Sequence, residues 1–244
     1  MSLPKAELVN GRKTFIPLEN NPEVLSHLCS NLGLAPGLTF HDVLSTTPEL
    51  LAWIPRPIHA LVLLADRPIY VAAREAVIPT IPEYQGSGDE PVFWMKQTIG
   101  HACGLMALLH SVFNLDENYL VPGSELDGLR ESAVELAPAE RAELLYTSTF
   151  LEKAHMEAAA SGSSRAPSPH DENHHHFIAF VQRGEKVWEL NGGMNGPLLR
   201  GTLEEDLLSE RGLAMTVQDY LNAAATGGYG EMSIVAVAGK EAHG

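Results

Sequence analysis

Cysteine is scarce in this chain: Cys29 and Cys103 are the only two among 244 residues. Two thiols cannot make a disulfide framework, and a chain of this length can bury a sizeable core without one. Basic residues are few as well, 16 Lys and Arg against 31 Asp and Glu, for a formal charge of −15. Nucleic-acid affinity rests on neutralising phosphates with cationic side chains. The balance therefore argues against nucleic acid and anionic membranes as partners and points to something basic. Long apolar runs are missing too. Ile58 to Ala65 is the longest near the front, far short of the roughly 20 residues of a membrane span. Residues Met1 to Glu7 lack the apolar core of a secretory signal. A reducing compartment is expected, the cytoplasm and also the nucleus, where a free thiol is either buried filler or a reagent.

What the chain does hold is an ordinary globular balance, 45% hydrophobic and 19% charged, with no internal repeat. Pro138-Ala139-Glu140-Arg141 opens a helical pattern with proline at the first helical position, and that helix can run to about Ala160. Ser161 to Pro169, rich in Ser and Pro, reads as a mobile loop. Phe177–Val181 and Lys186–Leu190 are short apolar runs joined by a turn over Gln182–Glu185, which predicts a β-hairpin. Thr202-Leu203-Glu204-Glu205 has a capping-box pattern and is expected to open a helix through Leu207, Leu208 and on towards Leu221. Leu61–Leu64 and Ser233–Ala238 read as further strands. Strands grouped late, with helices around them, predict an α+β domain with a largely antiparallel sheet.

The chemistry is concentrated around Gln97-Thr98-Ile99-Gly100-His101-Ala102-Cys103-Gly104. Leu105, Leu108, Leu109 and Val112 follow at helical spacing, so Cys103 falls at a helix N-terminus. There the unpaired amides and the macrodipole favour the thiolate. Gln97, six residues upstream, can fold its amide back over the sulfur and help a backbone N–H hold a developing oxyanion. Read locally, Cys103 is a nucleophile or a small buried residue in equal measure. Cys29 shares a helical apolar stripe with Leu25, Leu28 and Leu32 and reads as core.

This segment resembles the active-site signature of the ubiquitin C-terminal hydrolases, a family of cysteine deubiquitinases. The likeness extends to Phe15 through Val24, Pro48 through Leu51, Ile54 through Pro57, and Ser132 through Ala142. It continues at His176 through Val181 and Trp188 through Gly192, so it spans about Thr14 to Ala238. The resemblance implies a papain-like α-β-α sandwich over residues 1–244 as a single domain, monomeric, with no cofactor and no metal. It implies Cys103 as nucleophile, His176 as general base and acid, and Gln97 as oxyanion stabiliser. A segment at about 147–173 would be the crossover loop passing the active site. The implied activity is cleavage after the C-terminal glycine of ubiquitin or a ubiquitin-like protein, releasing small adducts or short peptides.

One position departs from the family pattern. The usual Leu-Asp-Gly is Leu190-Asn191-Gly192 here, fifteen residues after His176. An Asn carbonyl can orient an imidazole, as the Cys-His-Asn arrangement of papain-like proteases does, but adds no negative charge beside it. A working triad with a neutral orienter is the expectation, resting as a thiolate–imidazolium pair. The alternative is a ubiquitin-binding module whose catalysis has weakened through Asn191. His170, His174 and His175 crowd next to His176, yet they end a Ser/Pro-rich loop and read as solvated rather than as metal ligands.

Overall fold

The computed structural model describes residues 5–86, 90–115, 119–164, 167–227 and 230–239. Its elements in chain order begin with β1 (Glu7–Val9), β2 (Arg12–Thr14), α1 (Pro22–Leu32), β3 (Leu38–Asp42), α2 (Pro48–Leu51) and β4 (Ile58–Asp66). Next come α3 (Arg67–Arg74), α4 (Cys103–Val112), α5 (Glu125–Val134), α6 (Pro138–Thr147) and α7 (Thr149–Ala160). The last are β5 (His175–Arg183), β6 (Lys186–Leu190), β7 (Leu198–Thr202), α8 (Glu210–Met215), α9 (Gln218–Gly227) and β8 (Met232–Gly239). Six strands form one antiparallel sheet in the order β3-β8-β4-β5-β6-β7.

The central strands are apolar on both faces, as strands covered on both sides must be. Val62, Phe177, Ala179 and Val235 face a core shared with α1 and α4, while Leu61, Leu63, Phe180 and Ala236 face the layer of α3, α8 and α9. The result is the expected α-β-α sandwich. Every residue of α4 is buried, which suits a helix whose sequence is apolar all round. The β5–β6 hairpin closes over Gly184, left-handed at φ 56°, so the turn is tighter than the four residues expected.

Three boundaries differ from the sequence expectations. The helix from Pro138 breaks at Ser148, whose extended backbone (φ −71°, ψ 108°) ends α6 and whose hydroxyl caps α7 by accepting from the Leu151 N–H. The segment at 147–173 is therefore about half helix; α7 buries Leu151, Met156 and Ala158, and Ser148 and the described residues after α7 lie outside regular structure. Within Ser161–Pro169, Arg165 and Ala166 lie outside the described residues. Thr202 opens no helix: it ends β7, and the Leu203 N–H donates to the Glu185 carbonyl across the hairpin turn. The next helix starts at Glu210, capped by the Ser209 hydroxyl.

Candidate active site

Cys103 is the first residue of α4, and the loop before it is clamped to β2. The Gly100 N–H donates to the Lys13 carbonyl, and the Phe15 N–H donates to the Gly100 carbonyl. A Cβ on Gly100 would come within 2.6 Å of Thr14 Oγ1, so the close approach requires glycine. His101 follows in the left-handed region, φ 54°, a conformation that is costly for a non-glycine residue. The backbone N–H groups of Phe177, Gly104 and Cys103 itself favour the thiolate. Burial nevertheless pushes the thiol up, and the amides and the distant Arg12 charge only partly offset it.

His176 reaches the same place from β5, one residue before Phe177. Its Nε2 is 2.8 Å from Asn191 Oδ1. The backbone N–H of Gly193 also donates to that oxygen at 2.8 Å. Because a backbone N–H can only donate, it fixes which end of the amide faces the ring. Nε2 must then carry the imidazole proton, which leaves Nδ1 as the accepting nitrogen. Burial lowers the His176 pKa, partly offset by the Asn191 bond and the negative charge of Glu189. A thiol pushed up and an imidazole pushed down both work against charge separation between the two groups. Desolvation of both groups thus opposes the pull of the helix N-terminus towards the expected thiolate–imidazolium pair.

Gln97 is delivered by a strip of chain held residue by residue. Asn114 brackets Phe93 through both its N–H and its carbonyl, Arg141 donates to the Trp94 carbonyl, and His110 Nε2 accepts from the Met95 N–H. Burial pushes the His110 pKa down to about 3, which keeps the ring neutral. The Gln97 N–H donates to the Gly192 carbonyl at 2.9 Å, and a Cβ on Gly192 would strike Gln97 Cβ at 2.8 Å. Gln97 is thereby locked beside the Asn191 turn. One of its amide hydrogens bonds the Ile99 carbonyl at 3.0 Å.

Behind Asn191 lies a buried ionic cluster. Glu189 is fully buried; Arg74 donates to both its oxygens, and Tyr220 donates to Oε1 at 2.6 Å. Arg74 also reaches Asp219, which Arg200 pairs from the other side. Tyr70, on α3, accepts from Asn191 Nδ2 at 3.1 Å. Neither Tyr70 nor Gly193 stood out in the sequence. Tyr70 lies 121 residues from Asn191 and belongs to no motif that would mark it.

The remaining histidines serve other ends. His170 pairs with Glu7, His174 with Glu172, and His175 with Asp66. Cys29 is buried in the α1 core, where burial pushes its thiol up, as filler should be. Beside the site runs a cleft of about 450 Å³. Leu18, Glu19 and Asn20 wall it on one side and Ser164, Pro167, Asp171 and Glu172 on the other, with Phe177 and Ser233 between.

A buried cysteine at a helix N-terminus, an amide-oriented imidazole and a glutamine strip are the parts that papain-like thiol proteases combine. The chain belongs to the ubiquitin carboxyl-terminal hydrolases: residues 15–222 match the sequence profile of ubiquitin carboxyl-terminal hydrolase, family 1. It is 37% identical to the ubiquitin carboxyl-terminal hydrolase of Aplysia californica, over 80% of this chain and 90% of that protein. It is 33% identical to ubiquitin carboxyl-terminal hydrolase YUH1 of Saccharomyces cerevisiae, over 87% and 90% respectively. The Trichinella spiralis UCH37 catalytic domain, crystallised with ubiquitin vinyl methyl ester, shares the fold. Its TM-score is 0.67 at 21% identity, covering 93% of this chain and 96% of that one.

Proposed function

We propose that this chain is a thiol hydrolase that cleaves after the C-terminal glycine of ubiquitin and releases small adducts or short peptides. The observation that carries the reading is the fixed His176 tautomer, with Nε2–H on Asn191 and Nδ1 left to accept a proton. Nδ1 takes the Cys103 proton as the sulfur attacks the glycine carbonyl carbon. The oxyanion that forms meets the Cys103 N–H and the second amide hydrogen of Gln97. Collapse breaks the C–N bond, the leaving amine takes the proton from Nδ1, and a thioester remains. Water, deprotonated by the same nitrogen, cleaves that thioester and restores the thiol.

The cleft supports a basic, slender substrate segment. Glu19, Asp171, Glu172 and Glu231 line it, which suits the arginine-bearing tail of ubiquitin. The strand register adds a surface for a folded body: the Val43 N–H donates to Ile234, next to Ser233 of the cleft. Leu44 and Trp53 beyond it are 87% and 84% exposed, an apolar patch beside the tail path. The described residues of the 147–173 segment beyond α7 act as the crossover loop, since Ser164, Pro167, Asp171, Glu172 and Asn173 line the cleft. Two unpaired thiols suit a reducing compartment, the cytoplasm or the nucleus. The test is a steady-state assay with a ubiquitin C-terminal fluorogenic amide. Cys103→Ala is expected to abolish turnover while ubiquitin binding survives; turnover unchanged in that variant overturns the reading.

A further inference from the structure

Asn191 is 1% exposed, so its amide must find partners for donors as well as acceptors, where a carboxylate has acceptors alone. His176 and Gly193 take the oxygen, and Tyr70 Oη receives the nitrogen. The Tyr70 ring also lies against the imidazole, with centroids 4.9 Å apart and planes inclined at 52°. One side chain therefore touches both members of the orienting pair.

Its placement follows from two matched spacings. Tyr70 and Arg74 lie four residues apart on one face of α3, about 6 Å along the helix axis. Glu189 and Asn191 lie two residues apart on one face of the chain at the end of β6, about 6.6 Å apart. Arg74 meets Glu189 where Tyr70 meets Asn191. The buried ion pair anchors the helix to the strand, and the hydroxyl is carried to the amide by the same attachment.

We propose, on the thiol-hydrolase reading above, that Tyr70 is a positioning residue whose hydroxyl holds the plane of the Asn191 amide and so aims the imidazole at the thiol. A hydroxyl can accept from an amide or donate to a carboxylate, so the same residue serves either side chain at position 191. Without it, a buried Nδ2 donor loses its partner and the amide is free to tilt. The ring then keeps its neighbours but loses the direction of Nδ1.

Tyr70→Phe removes the hydroxyl and keeps the ring. With a ubiquitin C-terminal fluorogenic amide, kcat is expected to fall about five- to tenfold, the scale of one buried hydrogen bond, with KM within about twofold. In an Asn191→Ala background the same change should leave kcat alone, because Tyr70 acts through the amide. The hydrogen-bonded imidazole N–H resonance of His176 should shift in Tyr70→Phe and disappear in Asn191→Ala. An unchanged kcat in Tyr70→Phe, or an equal loss in both backgrounds, overturns the proposal. Turnover persisting in Cys103→Ala would instead overturn the thiol-hydrolase reading, a separate outcome of the same assay.

Discussion

Replacing Asn191 with Asp adds one negative charge at the point that orients His176, with no other change in shape. The acquired oxygen charge would stand 2.8 Å from Nε2. At an effective dielectric of about 20 that is a gross attraction of about 6 kcal/mol for the imidazolium. Two features of the site reduce it. The carboxylate would be as buried as the amide it replaces, and the charge of Glu189 lies close enough to bear on the same ring. Paired imidazoles under such opposition gain about 1–3 pKa units. The native His176 pKa is depressed by burial, so the acid limb of kcat/KM should lie below the ordinary imidazole value of 6.5. In Asn191→Asp that limb should move upward by about 1–3 units. Tyr70 can turn its hydroxyl from acceptor to donor, so the geometry survives. At the optimum, easier ion-pair formation is opposed by a weaker proton donor for the leaving amine. The change in kcat/KM should stay within about tenfold, and Asn191→Ala should lose more. The assay is a full pH–rate profile of wild type and both variants. Asn191-Gly192 can deamidate, so each preparation is first checked by mass spectrometry. An acid limb that stays in place, or moves down, in verified Asp protein refutes the electrostatic account of the pair.

Gln97→Ala should lower kcat about 10²- to 10³-fold with a small effect on KM, because the Cys103 N–H remains as one oxyanion donor; a loss confined to KM would show that Gln97 binds rather than stabilises. Shortening the 161–174 loop should slow large leaving groups more than small ones, read with amide and extended-peptide adducts of ubiquitin; the reverse order would show that the loop is no gate. Acid should destabilise the fold through His110 and His155, both fully buried, with pKa values pushed down to about 3 and about 4. The unfolded chain binds their protons first, so stability is complete above about pH 6.5 and is lost as pH falls towards those values. The loss at pH 5 is about 2 kcal/mol for each, measured by denaturant melts. A denaturation midpoint equal at pH 7 and pH 5 would contradict it.

The site was legible where chemistry is carried by contiguous motifs. Gln97 through Gly104, His176 before an apolar strand, and Asn191 across a hairpin are each readable without coordinates. Boundaries decided by capping were harder. Ser148 interrupts a helix with no glycine or proline to announce it, because an extended serine can end one helix and cap the next. Thr202 carries the letters of a capping box, but its neighbour Leu203 is already committed to the hairpin turn. The direction in which burial shifts the two catalytic groups could not be read at all. A helix N-terminus is visible in sequence, whereas the burial that opposes it depends on the elements packed around Cys103 and His176. Tyr70 was invisible for a related reason: its role is created by the meeting of α3 with β6.

The place of β8 bears on how the protein comes into being. It is the last of the described strands, yet it lies between β3 and β4. A ribosome releases β3, β4 and the β5–β6 hairpin well before Met232 emerges. During that interval β3 has no strand to pair with and β4 shows a bare edge of unpaired N–H and C=O groups. Cys103 and His176 sit on elements that pack on or belong to this unfinished sheet. A chain interrupted before Met232 would therefore keep an open β4 edge, a natural target for chaperones. Synthesis has to run through β8 before the sheet that carries α4 and β5 is complete.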